Sequence, residues 1–490
     1  MPNTRDLSPV RTPQPAALRS LRRRAARAAL YVSLGLSLSG GALLYLFVDR
    51  TFAGAPEVSS EAESWLGVDF EALPEVRLLQ RYVAIDTSWP DGDELAGVRF
   101  LQELLAGEGI ASEVEYLGRG RANLWAVLEG RERGAVVLHH HVDVEPARPS
   151  DGWRDAPFSG TIEGPWIFGR GVYDMKSLAV AQLQAFVAVK RSGVIPRRSL
   201  ILLATSSEET GSDVGTKWIL RQHPELVERM ELFLTEGGVV EAVSPREVKY
   251  WGIEFAQKHF ADLVFCAAGR ERLEELSADL AVESRRRAPV RLDPAVLEFV
   301  APYGPSRDHP SLKRILGRPA VLLERSRDVQ RLTPFLRALF HNSLSAFPIR
   351  EAVGGGFELP VKVQALPGST LEEALADTLP PGLGAGLSRI LRPLGGAGAV
   401  SPIDHPAFRA LAEEVAVSHP GVRVGPYLLP WSASDARFLR AAGIPAYGFS
   451  PFLLVAADTF TVAEPNERMA LSAFVDGVAL YERAVRRLVE

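Results

Sequence analysis

A group of imidazole and carboxylate side chains lies where apolar, strand-like runs of the sequence end or a helical run begins. The group consists of His141, Asp143, Asp174, Glu208, Glu209 and Glu236. Neutral imidazole and carboxylate oxygen are the usual protein ligands of zinc and related divalent ions, and a carboxylate can bridge two of them. Because open α/β sheets place their sites at strand ends and helix starts, the order and spacing of these residues predict a metal site.

The spacing within this group predicts different roles for its members. Asp143 lies two residues beyond His141, so on an extended chain both side chains point to the same face, and Asp143 is placed to hold the second imidazole nitrogen. Neighbouring side chains diverge on an extended strand, so one of Glu208 and Glu209 is expected to bind metal while the other acts as a general base. Taken singly, Asp174 before an apolar helical run is also typical of a helix N-cap.

These residues stand in an order that resembles the aminoacylase/carboxypeptidase S family of dinuclear zinc peptidases, especially its membrane-anchored carboxypeptidase S-like branch. The resemblance covers nearly everything after about residue 66. The matching segments are 83–88, 141–146, Trp153 with Pro157 and Phe158, 169–176, 207–209 and 236–238. The resemblance implies a zinc-peptidase-like α/β catalytic sheet domain with an inserted α+β lid or dimerisation domain.

The resemblance also implies a role for each site residue. The implied metal ligands are His141, Asp174, Glu209 and Glu236, with Asp174 bridging two ions. Glu208 would be the general base, and Asp143 the support for His141. The implied cofactor is zinc, as one or two divalent ions, with cobalt or manganese as alternatives. The implied reaction is hydrolysis of an amide bond next to a free carboxylate, in a small peptide or an N-acyl amino acid, by a metal-bound hydroxide.

Three positions depart from the family's pattern. Ala463 stands where the family has its last histidine ligand, and the lid segment 267–271 has no histidine where the family has one that reaches the substrate. Gln364 replaces an arginine that can bind the substrate carboxylate. Arg437 is then the best candidate for that contact, since guanidinium pairs with carboxylate through two hydrogen bonds. The ordinary alternative for Arg437 is a structural ion pair with Asp435 or another acid.

The missing histidine leaves three interpretations open. The protein works with one tightly held ion, uses a replacement ligand, or has lost catalysis and binds peptides or amino-acid conjugates at the membrane. The candidate replacement ligands are Glu464, Asp458, His139 and His140. Structural roles are favoured for the two strand histidines and for Glu464, and likewise for the more distant His259, His341 and His405. The intact pair of Glu208 and Glu209 favours a working enzyme.

The N-terminal part of the sequence predicts a membrane anchor. Residues 1–27 form an arginine-rich tail, and the uncharged, mostly apolar run 28–48 is long enough for a transmembrane helix of about 20 residues. The linker 49–65 has few basic residues, so the tail is expected in the cytoplasm and the catalytic part across the membrane. The alternative is a cleaved signal peptide, against which stand the length of the apolar run and Pro56.

Composition limits the remaining classes of function. A net charge of -5 and scattered basic residues argue against a nucleic-acid binder, and the lone cysteine, Cys266, excludes an intrachain disulfide framework. The expected partners are the small substrate, the membrane and, through the lid, a second copy of the chain.

The alternation of strand and helix patterns predicts how the chain is divided. Residues 66–248 and 399–490 are expected to form the two parts of the catalytic domain. The lid is expected to occupy residues 249–398, with paired strands at 251–255 and 261–266.

Overall fold

The computed structural model describes residue 65 and residues 67–306, 310–324, 329, 332–352, 354–379, 381–385, 387–395 and 399–490. The strands are β1 Ser112–Gly118, β2 Arg121–Leu128, β3 Ala135–His141, β4 Thr161–Glu163, β5 Trp166–Phe168, β6 Ser199–Thr205, β7 Met230–Thr235, β8 Val239–Ser244, β9 Glu247–Gln257, β10 His259–Ala267, β11 Ser343–Ala346, β12 Arg350–Glu351, β13 Phe357–Ala365, β14 Ser388–Pro393, β15 Val424–Leu429, β16 Ala446–Gly448 and β17 Arg468–Ala470.

The helices lie before and between the strands throughout the described ranges, and the last one ends at Val489. They are α1 Pro74–Val83, α2 Glu94–Gly107, α3 Ser177–Arg191, α4 Thr216–Gln222, α5 Pro224–Val227, α6 Arg270–Arg287, α7 Pro294–Tyr303, α8 Pro310–Leu316, α9 Val321–Glu324, α10 Pro334–Ala338, α11 Leu371–Thr378, α12 Pro406–Ser418, α13 Ala436–Ala441, α14 Ala456–Thr459 and α15 Leu471–Val489. An irregular helical turn, Val172–Lys176, precedes α3.

The larger sheet has the strand order β1-β2-β6-β3-β7-β16-β9-β15, and β8 pairs with β9. Its centre is parallel, because β3 runs parallel to both β6 and β7, and β16 runs parallel to β7. Parallel neighbours end at the same edge of a sheet, so the residues that follow β3, β6 and β7 are brought together. This arrangement confirms the predicted α/β sheet domain.

Both faces of the central strands are buried, which explains their nearly continuous apolar sequence. In β3, Val136 and Leu138 belong to one core cluster while Val137 belongs to another. Helices α3 and α15 cover the first face, and α4 and α13 cover the second. Because side chains alternate with a period of two, a slip of one residue would exchange the two faces and move His141 away from the site.

A second, smaller sheet of five strands has the order β11-β13-β10-β14, with β12 against β13. It packs on α6 and α11. An inserted α+β part is therefore present, but it begins later than predicted. Strand β9 belongs to the larger sheet, where it pairs in parallel with β15, and the smaller sheet starts at His259. The runs 251–255 and 261–266 do not pair with each other, because the chain passes from one sheet to the other at Lys258.

Helix α7, which lies between α6 and β11, packs against the larger sheet. Phe299 and Tyr303 of α7 belong to the main core. The ring of Phe299 lies 4.8 Å from that of Tyr427 in β15, and Tyr303 meets Tyr250 of β9 edge-on at 5.2 Å. Aromatic burial thus joins a stretch of the inserted part to the catalytic sheet.

The predicted membrane anchor, residues 28–48, lies outside the described residues. Within the described ranges, no helix combines the length and the apolar character that crossing a bilayer requires.

Lys258 is fully buried at the crossing between the two sheets. Its ammonium donates a hydrogen bond to the carbonyl oxygen of His341 at 2.8 Å and lies 3.4 Å from the hydroxyl of Ser343. Burial lowers the pKa of Lys258 from its ordinary value of 10.5 to about 7. The folded state therefore binds this proton less strongly than the unfolded state, so stability is lost as the pH falls from 10.5 towards 7.

Replacing Lys258 by methionine is expected to remove this pH dependence. At about 1.4 kcal/mol per pH unit, the variant should gain about 2 kcal/mol relative to the parent when both are moved from pH 9 to pH 7. Urea unfolding at the two pH values measures the difference. Lys362→Met, at a partly exposed lysine beside Asp262, is the control and should show no such change. An equal response of the two variants would contradict the prediction.

Candidate metal centre

The four predicted ligands come from three neighbouring strand ends and one helix start. His141 is the last residue of β3, Glu209 lies in the turn after β6, and Glu236 directly follows β7. Asp174 lies in the irregular turn that leads into α3. Since β3 lies between β6 and β7 in the sheet, the imidazole is central and the carboxylates surround it.

The side-chain atoms of this group are close enough to share an ion. The His141 Nε2 atom lies 3.1 Å from Asp174 Oδ1 and 3.8 Å from Glu236 Oε2. Ligand atoms of His141, Glu208 and Glu236 lie within 4.8 Å of one another, and so do those of His141, Asp174 and Glu209. One imidazole with carboxylates is a donor set that suits zinc and similar divalent ions, so the residues fit one or two such ions.

Electrostatics favours a cation at this position. Burial raises the pKa of Glu208 well above its usual range, and the nearby charges of Asp435 and Glu236 raise it further. Burial and the charge of Asp174 raise the pKa of Glu236 to about 7. Burial by itself lowers the pKa of His141, but hydrogen bonds with Asp174 and Glu236 outweigh it, and the pKa is raised. A divalent ion would offset the repulsion among these carboxylates.

Asp143 does not hold His141 in the way that the sequence suggested. The His141 Nδ1 atom lies 2.8 Å from the backbone oxygen of Asp143 but 3.7 Å from its carboxylate. The carboxylate instead accepts the backbone N–H groups of Glu208 and Glu209, each at 3.0 Å. The strand ends at His141, so the alternation of an extended chain no longer applies two residues later. Asp143 therefore anchors the turn that carries the two glutamates.

Glu467 holds the backbone at Asp174 in the way that Asp143 holds the backbone of Glu208 and Glu209. No sequence pattern indicated this role. Its Oε1 atom accepts the backbone N–H groups of Tyr173 at 2.9 Å and Asp174 at 3.2 Å. Its Oε2 atom accepts a hydrogen bond from Arg170 at 2.7 Å, and both side chains are buried. The partners lie almost 300 positions apart, so no spacing pattern could have linked them.

Ala463 offers only a methyl group, and its backbone is held rather than free. Its carbonyl oxygen accepts a hydrogen bond from Arg170 at 3.0 Å, and its φ of 60° is left-handed. Glu464 beside it is exposed, and Asp458 forms an ion pair of 2.7 Å with Arg468. Neither acid belongs to the metal-fitting groups found among the described residues.

The five other histidines considered in the sequence have structural partners. His139 lies between the hydroxyls of Thr235 and Thr205 at 2.9 and 2.8 Å, and His140 contacts Gln182 at 2.9 Å. In the inserted part, His259 bonds the carbonyl of Ser369 and His341 that of Pro289. His405 caps α12 by accepting the N–H of Ala407. These contacts agree with the structural roles that the sequence favoured.

Arg437, the candidate for binding the substrate carboxylate, lies at the site. Its Nη1 atom is 3.7 Å from Glu208 Oε1 and donates to the carbonyl of Ser434 at 2.8 Å. Its ion-pair partner is therefore Glu208 rather than Asp435. Gln364, by contrast, accepts a hydrogen bond from Ser343 within the smaller sheet.

The sequence model of Peptidase family M20/M25/M40 matches residues 137–487, which is well over half of the chain. The chain belongs to this peptidase family. This membership confirms the prediction that the protein is a hydrolase. The matched range contains His141, Asp174, Glu208, Glu209 and Glu236.

Individual relatives differ in how much of this chain they resemble. A probable succinyl-diaminopimelate desuccinylase of Staphylococcus epidermidis is 33% identical over 136 residues, which are 28% of this chain and only 33% of that protein. Aminoacylase-1A of Rattus norvegicus is 23% identical over 430 residues, covering 85% of this chain and 95% of that one. Thus the chain spans about a third of the first relatives it matches and nearly all of the aminoacylase.

Among solved structures, an M20 family metallo-carboxypeptidase of Sulfolobus solfataricus shares the fold. Its TM-score is 0.62 at 17% identity, and the match covers 84% of this chain and 99% of that one.

Glu467→Gln is expected to destabilise the protein strongly, because it leaves the buried Arg170 without its countercharge and turns an amide towards backbone donors. Breaking a buried pair in this way costs about 3 to 5 kcal/mol. Denaturant unfolding of the metal-free chain measures the loss. Glu464→Gln, the same change at an exposed position three residues earlier, should stay within about 0.5 kcal/mol of the parent. Similar stabilities for the two variants would show that the pair is not structural.

Proposed function

We propose that the protein is a metal-dependent hydrolase that cleaves an amide bond next to a free carboxylate in a small peptide or an N-acyl amino acid. The observation that carries the proposal is the position of Glu208, between the metal-fitting residues on one side and Arg437 on the other. Glu208 can transfer a proton, and it lies next to both the residues that could bind a metal ion and the guanidinium that could bind the substrate carboxylate. Family membership and the resemblance to aminoacylase-1A support this class of reaction.

The residues that would hold the ions are His141, Asp174, Glu209 and Glu236, with Asp174 shared between two ions. Zinc is the proposed metal, from the family resemblance, with cobalt and manganese as alternatives. When bound, such ions polarise the carbonyl of the substrate and make a bound water more acidic. His141 Nδ1 donates a hydrogen bond to a backbone oxygen, so Nε2, which lies against the Asp174 carboxylate, is the nitrogen that would bind an ion.

Glu208 is proposed as the general base. It would take a proton from the attacking water and pass it to the leaving amine nitrogen. Burial, which raises its pKa, brings its proton affinity closer to the neutral range that such a role needs. Asp143 holds the backbone of Glu208 and Glu209, so the two carboxylates keep separate directions.

Glu208→Gln is expected to lower kcat by about 10² to 10⁴-fold while leaving bound metal per chain unchanged, because it removes proton transfer and keeps the shape. Glu209→Gln is the matched variant, and it should bind less metal per chain than Glu208→Gln does. Elemental analysis and hydrolysis of a panel of dipeptides and N-acyl amino acids, on the full-length chain, measure both effects. The reverse pattern would exchange the two roles, and normal turnover by Glu208→Gln would exclude it as the base.

Arg437 is proposed to bind the substrate carboxylate. Arg437→Lys keeps the charge but loses the paired geometry, so KM for a substrate with a free carboxylate should rise by about tenfold or more, corresponding to the 1.5 to 3 kcal/mol of a charged hydrogen bond. The same substrate with its carboxylate converted to an amide is the control, since its KM should change little. A similar rise for both substrates would show that Arg437 acts in another way.

A second candidate function follows from Ala463, whose methyl group replaces a family ligand. In this alternative the protein is a catalytically impaired member that binds peptides or amino-acid conjugates. Bound metal with turnover on the substrate panel would support the enzyme. A metal-free chain that stays inactive after zinc or cobalt is added would support the binding protein.

Attachment to a membrane and pairing with a second copy belong to the same proposal. The apolar run 28–48 with its arginine-rich flank supports a single-pass anchor with the catalytic part outside the cytoplasm. This is also the feature that supports the carboxypeptidase S-like branch. Strand β14, whose residues are exposed along its length at the edge of the smaller sheet, supports a dimer through that sheet.

A further inference from the structure

Asp435 is a fully buried carboxylate that the proposed reaction does not use. It directly precedes α13, and its Oδ1 atom accepts a hydrogen bond from the hydroxyl of Ser212. Ser212 is in the turn that follows β6 and carries Glu208 and Glu209. The carboxylate therefore links the loop before α13 to the turn that presents the two glutamates.

Asp435 is itself held in place from the sheet. The side chain of Gln257, at the end of β9, accepts the backbone N–H of Ser434 at 2.9 Å and donates to the Ser434 carbonyl at 3.1 Å. This pair of bonds fixes the backbone next to Asp435. A carboxylate whose backbone is fixed in this way can limit the movement of a neighbouring turn to which it is hydrogen-bonded.

Stability alone does not explain why an acid occupies this position. The Asp435 Oδ2 atom lies 3.7 Å from His139 Nε2, and within the described ranges it has no hydrogen-bond partner. The imidazole of His139 is hydrogen-bonded to the hydroxyls of Thr235 and Thr205 instead. Burying a carboxylate oxygen that has neither a hydrogen-bond donor nor a cationic partner is unfavourable.

The turn after β6 needs contacts that hold it in place, because two of its residues have an unfavourable backbone conformation. Ser207 and Ser212 have φ values of 62° and 61°, in the left-handed region that non-glycine residues rarely adopt. A residue in this conformation is strained and persists only where surrounding contacts impose it. Asp143 binds the middle of the turn, and Asp435 binds its far end through Ser212.

We propose that Asp435 is a positioning residue that acts through Ser212. It holds the turn 206–212 in the conformation that presents Glu208 and Glu209 to the metal centre. Its effect on turnover rests on the proposed hydrolase function, whereas its effects on metal affinity and on the turn itself do not.

The test compares Asp435→Asn, Ser212→Ala and the double variant in the full-length chain. Titration of the metal-free protein with Co²⁺ should show a dissociation constant raised about 10 to 100-fold in each single variant, as for other residues that orient metal ligands. If both act through one hydrogen bond, the double variant should be no weaker than the single ones. On a substrate that the parent cleaves, kcat should fall more than KM rises.

Asp293→Asn is the matched control, because Asp293 is another buried carboxylate that accepts two backbone N–H groups, from Ala295 and Gly368 in the inserted part. Its Co²⁺ affinity should stay within about twofold of the parent. Hydrogen exchange of the metal-free chain is a second measurement. Exchange in a peptide covering 206–212 should be faster in Asp435→Asn and Ser212→Ala than in the parent or the control.

Unchanged Co²⁺ affinity and unchanged exchange in Ser212→Ala would overturn the proposal, as would losses in the double variant that multiply those of the single ones. A parent that binds Co²⁺ but cleaves nothing would argue against the proposed hydrolase, and the cobalt comparison would still decide the role of Asp435. If the parent bound no Co²⁺, the exchange comparison would decide it.

Discussion

The parallel pairing of β6, β3 and β7 is the constraint on which the site depends. It aligns His141 with Thr205 across the sheet, so that the chain leaves β3 and β6 at the same level. The residues after those ends, and Glu236 after β7, then meet at one edge. Burial on both faces holds this register, because a slip of one residue would turn apolar side chains into the wrong core.

Buried acids then set the directions of the residues at that edge. Asp143 and Glu467 each accept two consecutive backbone N–H groups, one pair at Glu208 and Glu209 and the other at Tyr173 and Asp174. Asp435 binds the same turn through a side chain, by accepting a hydrogen bond from the hydroxyl of Ser212. Backbone anchoring of this kind leaves the ligand side chains free to face an ion while limiting their movement.

The predicted replacement of the family's last histidine by Ala463 concerns a loop that is part of this framework. Arg170 binds both the Glu467 carboxylate and the Ala463 carbonyl, so the loop near Ala463 is tied to the backbone of Asp174 whether or not it supplies a ligand. With alanine at position 463, the backbone N–H groups of Tyr173 and Asp174 are still bound by Glu467.

The sequence by itself determined the α/β class and the positions of the candidate donor residues at strand ends, because apolar periodicity and residue chemistry are local properties. It also favoured structural roles for His139 and His405. Only the tertiary structure decided that the carboxylate of Asp143 holds the turn rather than the imidazole of His141, that Glu467 anchors Asp174, and that β9 belongs to the larger sheet. These features depend on hydrogen bonds and packing between residues from about 65 to nearly 300 positions apart, which no local pattern encodes.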